Sequence, residues 1–589
     1  MATRHLAGLG QTMEMAPVTP SRTISFNRMN DLSISSLLVL FTLSAVAQPV
    51  RPKPTIETPY VSKVWVSDLG NGTYKNPVLN ADYSDPDACR VGDDYYMVAS
   101  SFDAIPGLPI LHSKDLVNWS LIGHALKRQP PFAHFEQTQH GNGVWAPAIR
   151  YHNKEFYIYY PDPDFGIYLT KATNPAGPWS EPVLVEAGKG LIDPCPLWDD
   201  NGQVYLVHGW AGSRAGIKSI ITIKKLNAEG RRVMDEGVIV YDGHETDPTI
   251  EGPKIYKRNS YYYIFAPAGG VPTGWQLVLR SKTIYGPYER KVVMDQGKSP
   301  INGPHQGAWV DTKPVNGKPG EDWFLHFQDK EAYGRVVHLQ PMKWVADWPV
   351  IGVDADGDGK GEPVLTYKKP ALGKVYPIVT PPESDEFNSI TLGRQWQWQA
   401  NPKGTWHTTS NQGFLRLYSY KVPDETKNNW DVPNLLLQKF PAERFMVTTK
   451  LTFKPNPKLE NERTGLIIMG QSYANLVLRS AKEGLELVYG VCKKASEGKP
   501  EEETVLSRIN QHTPVYFRVA VTDGATCQFS YSLDGKSFTK AGDPFQAEVG
   551  RWIGAKMGIF CTRTSQINDS GYADFDWFRV EPVSGGSNF

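Results

Sequence analysis

The chain is 589 residues long, more than one hydrophobic core ordinarily serves, so two domains are expected. Its 62 Lys+Arg balance 62 Asp+Glu, which removes the cationic surplus that a nucleic-acid binder or a polybasic membrane-surface protein needs. With 40% hydrophobic residues and a mean hydropathy of −0.40 it reads as a globular protein and not a transporter; 17 Trp, 28 Tyr, 53 Gly and 46 Pro suit many short strands joined by turns.

The first feature in chain order is the apolar stretch 32–47, shorter than the roughly 20 residues a spanning helix requires. It ends in Ala45-Val-Ala47 before Gln48, a small-x-small site of the kind a signal peptidase accepts. Residues 1–47 are therefore expected to be a signal or leader segment. The mature protein is expected to be exported, periplasmic or secreted, with no transmembrane segment. The five cysteines (Cys89, Cys195, Cys492, Cys527, Cys561) are far apart and form no CxxC pair, so neither a zinc site nor a disulfide framework is indicated.

From residue 85 onward a strand, polar turn, strand pattern recurs. It opens as Asp85-Pro-Asp-Ala-Cys-Arg-Val and returns as Ala146-Pro-Ala-Ile-Arg-Tyr, Asp193-Pro-Cys-Pro-Leu-Trp and Glu251-Gly-Pro-Lys-Ile-Tyr. A fifth, looser copy begins at Gln306-Gly-Ala-Trp-Val and resumes at Trp323-Phe-Leu-His-Phe after a Gly/Pro-rich insertion. Copies spaced by tens of residues, each a few strands long, predict a five-bladed β-propeller over residues 48–370, with the first strand of each copy lining the central channel. A Pro-rich passage, 371–382, reads as a linker. After it come short β-prone runs, several alternating at period two, such as Phe445-Met-Val-Thr-Thr-Lys-Leu-Thr-Phe and Val515-Tyr-Phe-Arg-Val-Ala-Val. They predict an all-β sandwich of jelly-roll type over 383–589.

Three copies open with a carboxylate at the matching place: Asp85, Asp193 and Glu251. Taken singly, Asp-Pro and Glu-Gly-Pro are ordinary turn starters. At one register in three blades, they predict three acids facing one hollow. Like charges brought together out of water push one pKa up, and glycoside cleavage uses one protonated and one ionised carboxyl group.

Taken as an ordered set, Asn76-Pro-Val-Leu, Ser84-Asp-Pro-Asp, Tyr95-Tyr-Met-Val-Ala-Ser-Ser-Phe, Ser113-Lys-Asp-Leu-Val-Asn-Trp, Gly143-Val-Trp-Ala-Pro, Ile192-Asp-Pro and Ile250-Glu-Gly-Pro resemble glycoside hydrolase family 43 over about residues 70–365. The stretch from Asp385-Glu-Phe to Asp574-Phe-Asp-Trp-Phe is similar to the concanavalin-like C-terminal sandwich of that family's β-xylosidase branch. The resemblance implies an inverting glycosidase that releases xylose or arabinofuranose from plant cell-wall oligo- or polysaccharide, with β-xylosidase favoured, α-L-arabinofuranosidase the alternative, and no cofactor required for the chemistry. It implies Asp85, in preference to Asp87, as general base, Glu251 as general acid and Asp193 as the residue that tunes Glu251. Phe102 and Trp145 then look like wall aromatics, Arg335 like an arginine contacting sugar hydroxyls and the base, and His305 like a pocket histidine or a ligand of a central calcium. The related invertase and fructanase group is disfavoured because its Asn-Asp-Pro-Asn, Arg-Asp-Pro and Glu-Cys signatures are missing. A non-catalytic glycan-binding propeller is the reading from a different class.

Asp354-Ala-Asp-Gly-Asp-Gly-Lys-Gly-Glu alternates oxygen ligands and glycines as calcium loops do, which makes Asp354, Asp356 and Asp358 weak candidates for a structural calcium. Leu365 stands where the bidentate acid of such a loop belongs, so a solvated acidic turn is the favoured reading.

Overall fold

A computed structural model of the chain describes residues 59–410, 413–510 and 513–583; the segment read as a leader, 1–47, lies outside them. Among the described residues no helix is long and apolar enough to cross a membrane.

Five four-stranded antiparallel meanders follow one another. The first is built from Asp87–Val91, Asp94–Val98, Gly107–Ser113 and Trp119–Leu126, and the second from Ala148–His152, Glu155–Asp162, Gly166–Ala172 and Val183–Ala187. The third opens at Leu191–Trp198, the fourth at Lys254–Arg258 and the fifth at His305–Asp311. The opening strands of the fifth, first, second, third and fourth sheets adjoin in turn, so the five-bladed propeller is present with those strands innermost. Its ring is joined where Thr73–Lys75 pairs with Thr366–Lys368 and Leu79 bridges Val337. Apolar layers between blades hold it together, for example Tyr263, Phe265, Val278, Phe324 and Ile351 between the last two.

The remainder forms two packed sheets. One runs His407–Ser410, Phe414–Tyr418, Tyr572–Glu581, Phe445–Lys454, Val515–Thr522, Thr526–Ser532 and Thr539–Gln546 in spatial order. The other runs Gln397–Trp398, Leu436–Lys439, Lys556–Arg563, Arg463–Met469, Tyr473–Ser480, Leu485–Cys492 and Glu502–Ile509. The period-two runs do what period two predicts: Phe445, Val447, Leu451 and Phe453 face inward together with Val515, Phe517, Val519 and Val521 of the paired strand. All five cysteines are free.

The passage read as a linker is docked. Thr380 donates its N–H to the Tyr60 carbonyl, and its hydroxyl accepts from Ser62 N–H at 2.8 Å. Sandwich and propeller also exchange backbone bonds. Trp398 and Ile105 pair in both directions, Asn401 donates to the Phe135 carbonyl, and Ala555 donates to that of Ala332. His140 stacks on Trp430 with ring centroids 3.6 Å apart.

Candidate active site

A hollow of about 800 Å³ opens at the propeller end where the innermost strands begin, within the range that small-molecule sites occupy. Asp85, Asp193 and Glu251, from three blades, all line it. So do Phe102, Trp145, His305 and Arg335, and every catalytic and sugar-binding position named from sequence is thereby brought to one place.

Local backbone explains how. Asp85 and Asp193 adopt left-handed φ values of 54° and 56°, and the register of the third blade slips between Ile192 and Cys195, around Asp193. A bulge of this kind re-aims a side chain out of the ladder. Gln306, at φ 39°, sits at the corresponding slip between His305 and Gly307. Phe102 (φ 52°) and Thr249 (φ 58°) line the same hollow. Each left-handed non-glycine residue costs on the order of 1–3 kcal/mol and persists only where surrounding structure imposes it, so their concentration here marks a site held in a set geometry.

Asp85 is 5% exposed. Its Oδ2 accepts from the Ser84 and Ser100 hydroxyls, each at 2.6 Å, and its Oδ1 faces Arg335 Nη1 at 3.4 Å. Arg335 also donates to Ser84 Oγ at 3.0 Å and lies over the Phe327 ring. Asp193 Oδ2 accepts the Gly252 N–H at 2.7 Å, which ties it to the residue beside Glu251. Burial, and next the Glu251 carboxylate, push the Asp193 carboxyl up to about 7; the Asp85 charge adds in the same direction, and the Gly252 N–H and Lys254 oppose it. The Asp193 carboxyl thus keeps its proton toward neutrality. Glu251, 31% exposed at its side chain, has Oε1 3.0 Å from His305 Nε2. His305 is fully buried and its Nδ1 has no hydrogen-bond partner.

Asp87, two residues beyond Asp85, is fully buried and does not reach the hollow. Its Oδ2 accepts from Arg150 Nη1 at 2.6 Å and from Ile149 N–H at 2.7 Å. Of the two aspartates, Asp85 alone lines the hollow.

The acidic turn stays apart. The carboxylates of Asp354, Asp356 and Asp358 approach within 4.8 Å of one another, beside a separate hollow shared with Asp295 and Glu362. Asp354 accepts the Gly357 and Gly359 N–H groups, and Lys360 Nζ bridges Asp295 and Asp358 at 2.8 and 3.1 Å. That ammonium supplies local positive charge to the cluster. His305 belongs to the main hollow and not to this cluster.

Two wall residues escaped the sequence reading. Trp210 of the third blade lines the hollow and donates its indole N–H to Thr222 Oγ1 at 2.9 Å. Trp552 comes from the sandwich, 52% exposed at φ 64°, and meets Trp145 edge to face at 6.1 Å between centroids. Its only signal in sequence is a tryptophan in a glycine-flanked turn, Gly550-Arg-Trp-Ile-Gly554.

Family models match both folded parts: "Glycosyl hydrolases family 43" over residues 74–349 and "Beta xylosidase C-terminal Concanavalin A-like domain" over 384–581. A Xylanibacter ruminicola protein carried under a provisional β-xylosidase name is 39% identical over 528 residues, 88% of this chain and 91% of its own length. The non-reducing end α-L-arabinofuranosidase of Bacteroides ovatus is 30% identical over 87% of this chain and 96% of its own. The crystal structure of xylan β-1,4-xylosidase from Bacillus halodurans, at 25% identity, superposes with a TM-score of 0.74 over 86% of this chain and 99% of that one. Shared propeller, shared sandwich and 39% identity along nearly the full length lead to one conclusion: this chain belongs to glycoside hydrolase family 43 and is a glycosidase.

Proposed function

We propose that the protein is an inverting β-xylosidase that removes terminal xylose from plant cell-wall xylan or its oligosaccharides. The observation that carries this reading is the meeting of three carboxylates in one hollow, with Asp193 raised by burial and then by the Glu251 charge. In this mechanism Asp85 is the general base. Its Oδ1 side, free of the two serine hydroxyls, takes the proton of a water that attacks the anomeric carbon. Glu251 is the general acid, protonating the departing glycosidic oxygen. Asp193 tunes and positions Glu251 through its own carboxyl group and through the Gly252 N–H it accepts. Inversion requires roughly 6.5–9.5 Å between base and acid, so that the water fits between. Arg335 orients Asp85 and donates to ring hydroxyls, while Phe102 and Trp145 pack against the C–H face of the sugar.

Trp552 supports attack at chain ends, because the sandwich places it across one side of the hollow, beside Trp145. The α-L-arabinofuranosidase reading is kept on the Bacteroides ovatus relative. Hydrolysis of aryl β-xyloside against aryl α-L-arabinofuranoside, with the first-formed anomer followed by NMR, separates the two. An α-xylose product supports the proposal, and a β-xylose product ends the inverting mechanism. We further infer export, on the strength of the apolar stretch 32–47 and its Ala45-Val-Ala47 end; N-terminal sequencing of exported protein should then read from Gln48.

A further inference from the structure

Asp82 lies outside the hollow, yet both of its oxygens are committed to backbone that builds it. Oδ1 accepts the N–H of Arg335 at 3.1 Å, and Oδ2 accepts the N–H of Gly554 at 2.9 Å. The first donor belongs to the residue that faces Asp85. The second belongs to the sandwich loop that carries Trp552. Asp82 is 4% exposed, so no water layer substitutes for it.

The surroundings are built around this carboxylate. Gly334, at φ 78°, leaves it room, since a Cβ there would stand 2.6 Å from Asp82 Cγ. Gly554 faces Gly334 so closely that its own Cβ would stand 2.5 Å from Gly334 N. Two glycines, one from each domain, thus meet at a single acid. Two ammonium groups of the sandwich, half-buried Lys439 and buried Lys556, feel its charge, and Lys439 also lies over the ring of Tyr83.

We propose that Asp82 is a positioning residue that couples the two domains at the site: its carboxylate fixes the backbone of Arg335 and of the Trp552 loop together, so that the arginine beside the base and the sandwich wall of the pocket are set as one unit. This rests on the sugar-pocket reading above. An ionised carboxylate accepts through both oxygens, whereas the amide of Asn accepts through one and presents N–H groups at the other. Asp82→Asn therefore cannot serve both donors.

The test has two arms. In the full-length protein, amide hydrogen exchange over 332–337 and 550–556 should rise together in Asp82→Asn. A rise in one segment only, or in neither, overturns the proposal, whatever the substrate proves to be. Where Asp82→Asn yields no folded protein, Lys439→Met weakens the clamp from the sandwich side, and the same paired rise is expected. In the kinetic arm, Asp82→Asn should lower kcat/KM on an aryl xyloside about tenfold or more, the scale of leaving a buried donor unsatisfied. In a Trp552→Ala background the KM part of that loss should largely vanish, because groups tied into one network fail to act independently. Full multiplicativity of the two substitutions overturns the coupling. Lys403→Gln, which removes the exposed Lys403–Glu136 ion pair elsewhere between the domains, should leave kcat and KM unchanged; an equal loss there would reduce Asp82 to a general interface role. A wild-type protein inactive on aryl xylosides but showing the paired exchange response would refute the substrate reading and leave the clamp standing.

Discussion

Asp85 and Asp87 stand two residues apart at the entrance to the same inner strand, and both are buried, yet their surroundings differ in kind. At the channel mouth Asp85 is held by two hydroxyls and a long contact to Arg335, while Asp193 accepts the Gly252 N–H and Glu251 meets the His305 imidazole. Deeper in, Asp87 is matched by Arg150, which also contacts Cys195 Sγ and the Tyr256 ring; the buried ammonium of Lys254 ends on the Pro147 carbonyl. The interior neutralises its charge, while the mouth leaves carboxylates in mutual repulsion. The contrast teaches that depth along the axis, and not residue type, separates chemistry from architecture in this propeller.

The most severe way to break the comparison is to exchange the two aspartates' roles by mutation. Asp85→Asn should lower kcat at least ~10³-fold on every xyloside, with Tm little changed, because the proposed mechanism gives the water's proton to Asp85. Glu251→Gln should lose as much on alkyl xylosides but far less on dinitrophenyl xyloside, whose leaving group needs no proton; kcat against leaving-group pKa reads this directly. Asp87→Ala should behave in the opposite manner. It leaves Arg150 buried without its partner, a loss of about 3–5 kcal/mol of stability, while the enzyme that remains folded keeps most of its turnover. Equal activity losses in Asp85→Asn and Asp87→Ala samples matched for folded protein would dissolve the distinction.

A smaller effect is expected from Asp193→Asn. Folding raises this carboxyl from an ordinary value near 3.8 to about 7, first through burial and then through Glu251. A raised folded-state pKa contributes stability that is complete below the unfolded value and is lost as pH climbs through the folded one. Between about pH 4 and pH 7 the wild type should therefore lose Tm more steeply than Asp193→Asn. In the proposed mechanism Asp193 tunes the acid, so the substitution should also move the alkaline limb of the kcat/KM profile to lower pH. A profile that stays in place would separate Asp193 from Glu251 functionally.

The repeats made the propeller legible because each blade restarts with the same strand, turn and strand, and the acids could be aligned because the restart fixes their distance from the axis. Asp85, Asp193 and Glu251 needed only that register. Period two was enough for the sandwich, since residues such as Phe445, Val447, Leu451 and Phe453 answer to a single buried face. What stayed hidden depends on how the domains dock. Asp82 sits beside the motif at Ser84-Asp85 and reads as one more polar loop residue until the Gly554 N–H is seen on it. Trp552 has no partner within reach in sequence; Trp145, its neighbour in space, belongs to the other domain. Local pattern carries blade geometry, but a contact between two separately folded parts leaves no period to read.

Trp552 offers the finest test of the comparison, because it belongs to the mouth without belonging to the propeller. Its edge contact with Trp145 is of the kind worth about 0.5–1.5 kcal/mol, equivalent to a factor of roughly 2–12. Trp552→Ala should therefore raise KM for xylobiose within that range and leave kcat close to wild type, since the residue touches no carboxylate and moves no proton. It should also relax the preference for chain ends, because the wall that limits extension past Trp145 is gone. Measuring product length on xylohexaose distinguishes this from a loss of affinity alone: internal cleavage products should become detectable in the variant and stay absent in the wild type. If kcat fell as far as KM rose, the tryptophan would be supporting the acids, and the mouth of the channel would depend on the sandwich for its chemistry as well as for its shape.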